Sequence, residues 1–389
     1  MTTPMGPWPL GIDNVSGTGA LPRDQNGRQV ALVDAANVDI DRAGRPSRRG
    51  GAQLVQAGHG LHSLWSGGDH ALVAMGAELC NARDLQPVAT LNSADRCSYA
   101  ELNGEVIVGN RTTLLRVAGG RAAALGVADA PPAAASGSDS GGLAAGRYAV
   151  AVAFVSDQGE GGLSSLRFVD VPEGGGIIVD QLPTAPDAAS LAIYRSQPNG
   201  EELYRAAQIP VGFPSYHLGA GGLDGAARTR NLRRMPPGEH VAAFNGYLLV
   251  AHGRTLRFSE PLRYGLHSPR HGFVQLPSRI TMLAAVGNVV FVGTTAGVVL
   301  LRGPRPREWA MENTAGLPPI PGASALVRSG QVQSELAGRN AALWLAPNGF
   351  VLGTEEGLLV ELQAERLAGL RYVSGALCVH GRRVTAAVA

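Results

Sequence analysis

One pattern constrains the fold of this 389-residue chain more than any other. A tight turn carrying Gly, Asn or Asp leads into an apolar strand, a second tight turn and another apolar strand, and the unit recurs. It reads "GGDHALVAMGAELCNA" (67–82), "NGEVIVGNRTTLLRVA" (103–118) and "NGYLLVAHGRTLRFSE" (245–260). It returns as "GNVVFVGTTAGVVLLRG" (287–303) and "NGFVLGTEEGLLVELQ" (348–363). Glycine supplies the positive φ that such turns need, and the arms are aliphatic or β-branched, so each copy predicts a β-hairpin.

Anchored on Val73, Val108, Val250, Val292 and Leu352, the copies lie 35, 142, 42 and 60 residues apart. Three of these intervals match one blade of a β-propeller, or one blade plus a loop. The interval of 142 exceeds a blade by about 107 residues, the size of one small β-sandwich. Its edges are visible in "GVADAPPAAASGSDSGG" (126–142), which reads as a Pro/Ala/Ser/Gly linker, and in the basic exit "ARTRNLRRMPPGE" (227–239). Between them "GRYAVAVAFVSDQGEGGLSS", "GGIIVDQLP" and "SLAIYRSQPNGEELYRAAQI" alternate as strands, which fits a fibronectin-III- or immunoglobulin-like sandwich. No segment reads as an amphipathic helix. The expectation is an all-β chain: a β-propeller of about six blades, begun by 1–127 and completed by 237–389, with a sandwich inserted at 128–236.

Composition agrees with that class. The 53 glycines and 25 prolines are spread along the chain and punctuate many short elements. A hydrophobic share of 45% against 16% charged residues supports a folded core. A net charge of +2 supplies no global field towards nucleic acid or an acidic membrane. All 33 basic residues are arginine. The three cysteines (Cys80, Cys97, Cys378) have no framework spacing, which fits a reducing compartment. The N-terminal "MTTPMGPWPLGIDNVSG" lacks the basic and apolar regions of a signal peptide, and no run reaches membrane-span length. The expected place of folding is the cytoplasm, without membrane insertion.

The chemistry-bearing patterns are weak. "NVDIDRAGRPSRRGG" (37–51) has Asp39 and Asp41 at calcium-loop spacing, but Ala43, Arg45 and Ser47 follow where oxygen ligands should stand. His59, His62 and His70 lack the second ligand pair of a zinc site. The carboxylates of "DQGE" (157–160) and of the Glu-Glu pairs at 201–202 and 355–356 fall in turns, where solvation is the ordinary state. There is no G-x-S-x-G elbow, P-loop or dinucleotide fingerprint. No catalytic residue, cofactor site or metal site is expected. The four Trp residues are scattered, against the aromatic clusters of a carbohydrate-binding propeller.

Four stretches together resemble the tail nozzle or tail-tube hub proteins of short-tailed bacteriophages, also known as packaged-DNA stabilisation or tail accessory proteins. They are "LVDAANVDIDRAGRPSRRGG", the sandwich strands above, "FNGYLLVAHGRTLRFSEPLRYG" and "ITMLAAVGNVVFVGTTAGVVLLRG". The resemblance touches most of residues 21–303. It implies a non-enzymatic virion structural protein, assembled in the host cytoplasm as a hexameric ring that forms part of the DNA exit channel. The ring would lie between portal or adaptor and the tail tip or fibres, touching genomic DNA only transiently and without sequence preference, and would stabilise packaged DNA. It also implies that the 27–55 hairpin closes the propeller with the last segment, 372–389. Arg42, Arg45, Arg48 and Arg49 then become candidate subunit contacts, because DNA sliding through a channel needs weak contact. Arg302, Arg305 and Arg307, in the long Pro- and Arg-rich loop expected at 302–322, are a second candidate contact. The competing class is a propeller adhesin or a carbohydrate- or surface-binding tail-associated module.

Overall fold

The computed structural model describes residues 7–41, 43–51, 53–328, 331, 340–381 and 383–389. Each repeated hairpin lies within a four-stranded antiparallel meander, the blade unit of a propeller. Blade 1 comprises Leu61–Gly67, His70–Met75, Glu78–Asn81 and Pro87–Thr90. Blade 2 comprises Ser98–Leu102, Glu105–Gly109, Leu114–Ala118 and Arg121–Ala124. Blade 3 is His240–Phe244, Tyr247–His252, Thr255–Phe258 and Phe273–Gln275. Blade 4 is Ile280–Val286, Val289–Thr294, Gly297–Arg302 and Ala310–Asn313, and blade 5 is Ser324–Val327, Ala341–Ala346, Gly349–Thr354 and Leu359–Glu361. With the terminal hairpin Gly375–His380 and Arg383–Val388, these make the all-β propeller-type array expected from the sequence.

In the first four blades the repeat falls on strands two and three. In blade 5 it falls on strands three and four, since "PNGF" (347–350) turns between Ala341–Ala346 and Gly349–Thr354. The interval of 60 was therefore a change of strand as well as a longer loop.

The chain divides into two units, His62–Gln275 and Met1–Leu61 with Leu276–Ala389. Within the first, blades 1 and 2 share a core of Leu72, Leu79, Val106 and Val117, and blades 2 and 3 share Ile107, Leu114, Val241 and Leu248. Within the second, blades 4 and 5 meet through Phe291, Leu300, Trp344 and Val351. Middle strands are buried on both faces, which explains their unbroken apolar runs.

The inserted sandwich has a three-stranded sheet (Ala134–Leu143, Gly175–Asp180, Ser215–Leu218) and a five-stranded one. The latter holds Gly146–Ser156, Gly159–Glu160, Arg167–Val171, Ser190–Arg195 and Tyr204–Pro210. Tyr148, Val150, Val152 and Phe154 alternate inward against Ile177, Val179, Leu191 and Ile193. Half of the supposed linker 126–142 is strand, Ala134–Leu143. Its small residues allow close backbone approach: a Cβ on Gly141 would lie 2.7 Å from Gly176 Cα.

Three further expectations are corrected. Among the described residues the last segment pairs with itself across the turn at Gly381 and not with the 27–55 hairpin, because a local turn closes at far lower entropic cost. The hairpin itself is shorter than expected: among the described residues its strands are Val38–Ile40 and Pro46–Arg48. The stretch 302–322 is not one long loop: it contains the 3-10 turn Pro306–Glu308 and the edge strand Ala310–Asn313. Among the described residues no helix is long and apolar enough to cross a membrane.

Candidate functional site

The arginines expected at interfaces lie on two elements. Arg42 lies outside the described residues. Arg45 and Arg48 are exposed, and neither guanidinium has a partner among the described residues. Arg49 Nε lies 3.5 Å from Asp39 Oδ1, and Asp39 also takes a 2.6 Å hydrogen bond from Arg383. That bond from Arg383, with a weaker one from Arg49, holds the Asp39 carboxyl below the usual carboxylate range. Asp41 Oδ1 accepts from the Arg45 backbone N–H at 2.8 Å, so the Asp41 carboxylate serves the hairpin turn while Asp39 is taken up by arginines. Arg302 contacts Glu312 at 3.2 Å and donates to the Glu356 carbonyl at 2.7 Å. Arg305 reaches Glu308 at 3.4 Å, and Arg307 is exposed in the 3-10 turn.

The densest polar arrangement was not anticipated. It grows from two Tyr-Arg dipeptides, "IYRS" and "LYRA", on adjacent antiparallel strands of the sandwich. The register sets Tyr194 opposite Arg205 and Arg195 opposite Tyr204, with a bulge at Ala206. Neighbouring residues of a strand face opposite sides, so each pair serves a different face. Arg195 turns into the sandwich, lies 5.9 Å from the Tyr148 ring centroid and donates to the carbonyls of Ser196, Gly219 and Gly221. Burial pulls its guanidinium below the usual arginine range. It is a structural residue that ties down the returning chain.

Tyr194 and Arg205 turn outward onto Glu160. The Glu160 carboxylate, 11% exposed, accepts from Tyr194 Oη at 2.6 Å, Thr229 Oγ1 at 2.8 Å and Arg205 Nη2 at 3.0 Å. Burial and the hydrogen bond to Glu160 push Tyr194 up to about 12, and the Tyr194 hydroxyl helps raise Arg205. Neither can exchange a proton near neutral pH, so the cluster is an electrostatic fixture and not an acid–base pair. The turn expectation of a solvated carboxylate fails at Glu160 because three donors distant in sequence, two on strands and Thr229 on the exit segment, converge on it.

Segment 224–227 runs beside Leu203–Arg205: Asp224 N donates to the Arg205 carbonyl, Arg205 N to the Gly225 carbonyl and Ala227 N to the Leu203 carbonyl. This brings Asp224 and Arg228 alongside Arg205, and Arg263 from blade 3 completes the lining. Glu160, Tyr194, Arg205, Asp224, Arg228 and Arg263 thus surround a pocket of about 250 Å³.

The rest of "DQGE" fastens the sandwich to blade 2. Asp157 bridges to Arg116 at 2.9 Å, while Gln158 accepts from Gly126 N at 2.8 Å and donates to the Ala124 carbonyl at 2.9 Å. At the exit, Arg234 Nε donates to the Leu125 carbonyl at 2.8 Å and Arg233 to the Leu163 carbonyl at 2.6 Å.

Other candidate chemistry dissolves locally. His62 binds Ser63 Oγ and the Gly76 carbonyl. Ser138 Oγ lies 2.9 Å from His217 Nε2, but both groups turn to the Ser140 carbonyl, which leaves the imidazole no free lone pair there to activate the serine. Burial pushes the Cys97 thiol up to about 11, away from reactive thiolate. Among the described residues no group of His, Cys, Asp and Glu could hold a metal ion.

No family model and no curated protein matches the chain. Solved structures similar to it include BBS1N in complex with ARL6DN, at 13% identity and TM-score 0.33, covering 85% of this chain and 89% of that one. Apo AztD from Citrobacter koseri matches at 9% identity and TM-score 0.29, covering 79% and 73%. PorZ of the Porphyromonas gingivalis type-IX secretion system matches at 11% identity and TM-score 0.21, covering 83% and 42%. Likenesses this distant carry no functional information, and the fold stands on its own strand order.

Proposed function

We propose that the chain is a non-catalytic assembly protein, and within that class a nozzle or hub subunit of a short-tailed phage tail, working as a hexameric ring around the DNA exit channel. The observation that carries the reading is how the polar side chains of the insertion are used. Asp157, Gln158, Arg233 and Arg234 spend their hydrogen bonds on fixing the sandwich to blade 2 and to its own exit segment. A module held this rigidly suits an assembly that keeps its neighbours in register. The phage assignment itself rests on the sequence resemblance.

Arg45 and Arg48 are the better interface residues, since reversing Arg302 or Arg305 would break contacts within blade 4 and between blades 4 and 5. The test is mass photometry with electron microscopy of the purified protein, alone and with its portal or adaptor. Six-fold rings that are lost in Arg45→Glu/Arg48→Glu, with the circular dichroism spectrum unchanged, are the expected result. A protein that stays monomeric even with portal or adaptor present would overturn the proposal, whatever sugar it binds.

A further inference from the structure

The pocket at Glu160 has a division of labour among its charges that points to a ligand. Arg205 is already engaged: Nη2 and Nε reach Glu160 and Tyr194, and Nη1 reaches Gln208 at 3.3 Å. Arg228 and Arg263 are different. Neither guanidinium has a hydrogen-bond or ion-pair partner among the described residues, and both line the cavity. A guanidinium offers five donors in a planar fork that matches a carboxylate or a phosphate. With two of them lining one pocket, from separate segments of the chain, the pocket offers a seat for a single anionic group.

The remaining wall narrows the choice. The Asp224 carboxylate lines the same pocket and lacks a side-chain partner among the described residues. It opposes a second negative charge but accepts hydrogen bonds from hydroxyl groups. A cavity of about 250 Å³ holds the volume of roughly eight waters at about 30 Å³ each, close to one small ring with its substituents. A nucleic-acid strand fits less well, because binding of that kind follows an extended basic groove with stacked aromatics. Here two carboxylates, Glu160 and Asp224, share the lining with the arginines, and the aromatic ring of Tyr194 is buried.

We propose that this pocket binds a monocarboxylate that also carries hydroxyl groups, the chemistry of a uronic acid residue, with Arg228 and Arg263 on the carboxylate and Asp224 on a hydroxyl. The same chemistry is offered by a free sugar acid and by one residue of an acidic polysaccharide. The site is independent of the assembly role proposed above.

Isothermal titration of the full chain with D-galacturonate, D-galactose, inorganic phosphate and tetragalacturonate tests it. Saturable binding of galacturonate with none of galactose is expected. Tighter binding of the tetramer assigns the polysaccharide as source, and equal binding assigns the free acid. Arg228→Ala/Arg263→Ala should weaken galacturonate by about tenfold or more, since both contacts are charge-assisted. Both side chains are exposed, so thermal stability reports separately that the variant is folded. Asp224→Asn should weaken galacturonate but not acetate. Galactose binding as well as galacturonate, phosphate binding more tightly, or an unchanged double variant would each overturn the assignment. So would single-stranded DNA binding that the double variant abolishes, which would make the site a phosphodiester contact.

Discussion

At the scale of single residues, most ionisable groups serve the fold, and His267 gives that a measurable form. The residue is 7% exposed, its Nδ1 has no partner among the described residues, and its pKa is lowered first by burial and then by Arg257, with Asp129 and a Ser268 backbone bond opposing. A buried histidine held neutral makes the unfolded chain bind more protons at mildly acidic pH. Its stabilising effect is complete above the unfolded value of about 6.5 and is lost as pH falls through the lower folded value. The unfolding free energy should therefore drop below pH ~6.5, by at most about 1.4 kcal/mol per pH unit from this one group. Chemical denaturation at several pH values should show a steeper fall for the natural chain than for His267→Gln. Parallel profiles would mean that another group sets the acid slope. The residue scale is also where the sequence was least readable. Glu160 is one letter of a turn, and its partners Tyr194, Arg205 and Thr229 lie 34 to 69 positions away. The available signal was the doubled Tyr-Arg dipeptide across a Pro-Asn-Gly turn, whose antiparallel pairing sets each Tyr against an Arg.

At the scale of elements, the hairpins were legible because a tight turn and its arms are local chemistry, while boundaries set by distant backbone were not. Ala134–Leu143 reads as a linker since its small residues have poor β-propensity, and it becomes a strand only through its long-range partner Gly175–Asp180. The shifted repeat in blade 5 has the same origin: strands two and three are both mainly apolar runs, and pairing alone orders them. Packing between blades 4 and 5 depends on a residue with no sequence signal of that role. Phe291 and Trp344 pack with ring centroids 5.5 Å apart, both fully buried. A Cβ on Gly353 would meet Phe291 Cε2 at 2.6 Å and Trp344 Cζ3 at 2.8 Å. Neither ring has room to retreat in a close-packed core. Gly353→Ala should cost about 1–3 kcal/mol as an overpacked site, while Gly222→Ala, which meets open space, should be neutral. Thermal unfolding of the two variants reads the difference, and equal midpoints would show that the aromatic pair can yield.

At the scale of the whole molecule, the question is what protects the last sheet. The terminal hairpin does not join a composite blade, yet it covers blade 5. Leu377, Val379 and Val384 pack on Val327, Leu343 and Leu352, while Ala386 and Val388 pack beside Ile320, Ala323 and Leu345. The Gly375 N–H donates to the Pro321 carbonyl at 2.9 Å, anchoring the hairpin's start. Asn14 exchanges hydrogen bonds with Ala368, and Arg383 pairs with Asp39, so the N-terminal segment is tied to the same end of the chain by polar contacts. These two kinds of tie differ in weight. An exposed ion pair contributes about 0–1 kcal/mol, so Arg383→Gln should leave the melting temperature nearly unchanged. Half-buried aliphatic side chains contribute about 1 kcal/mol each, so removing 375–389 should cost on the order of 5 kcal/mol, a large share of a typical domain's stability. It would also uncover Ser324–Val327, an edge strand whose Leu326 is already 62% exposed, and exposed apolar edges recruit other chains. The truncated protein should therefore be aggregated or melt far lower, while Arg383→Gln stays soluble and stable. A soluble truncation with an unchanged melting temperature would mean that blade 5 completes its own core and that the hairpin serves something outside the fold.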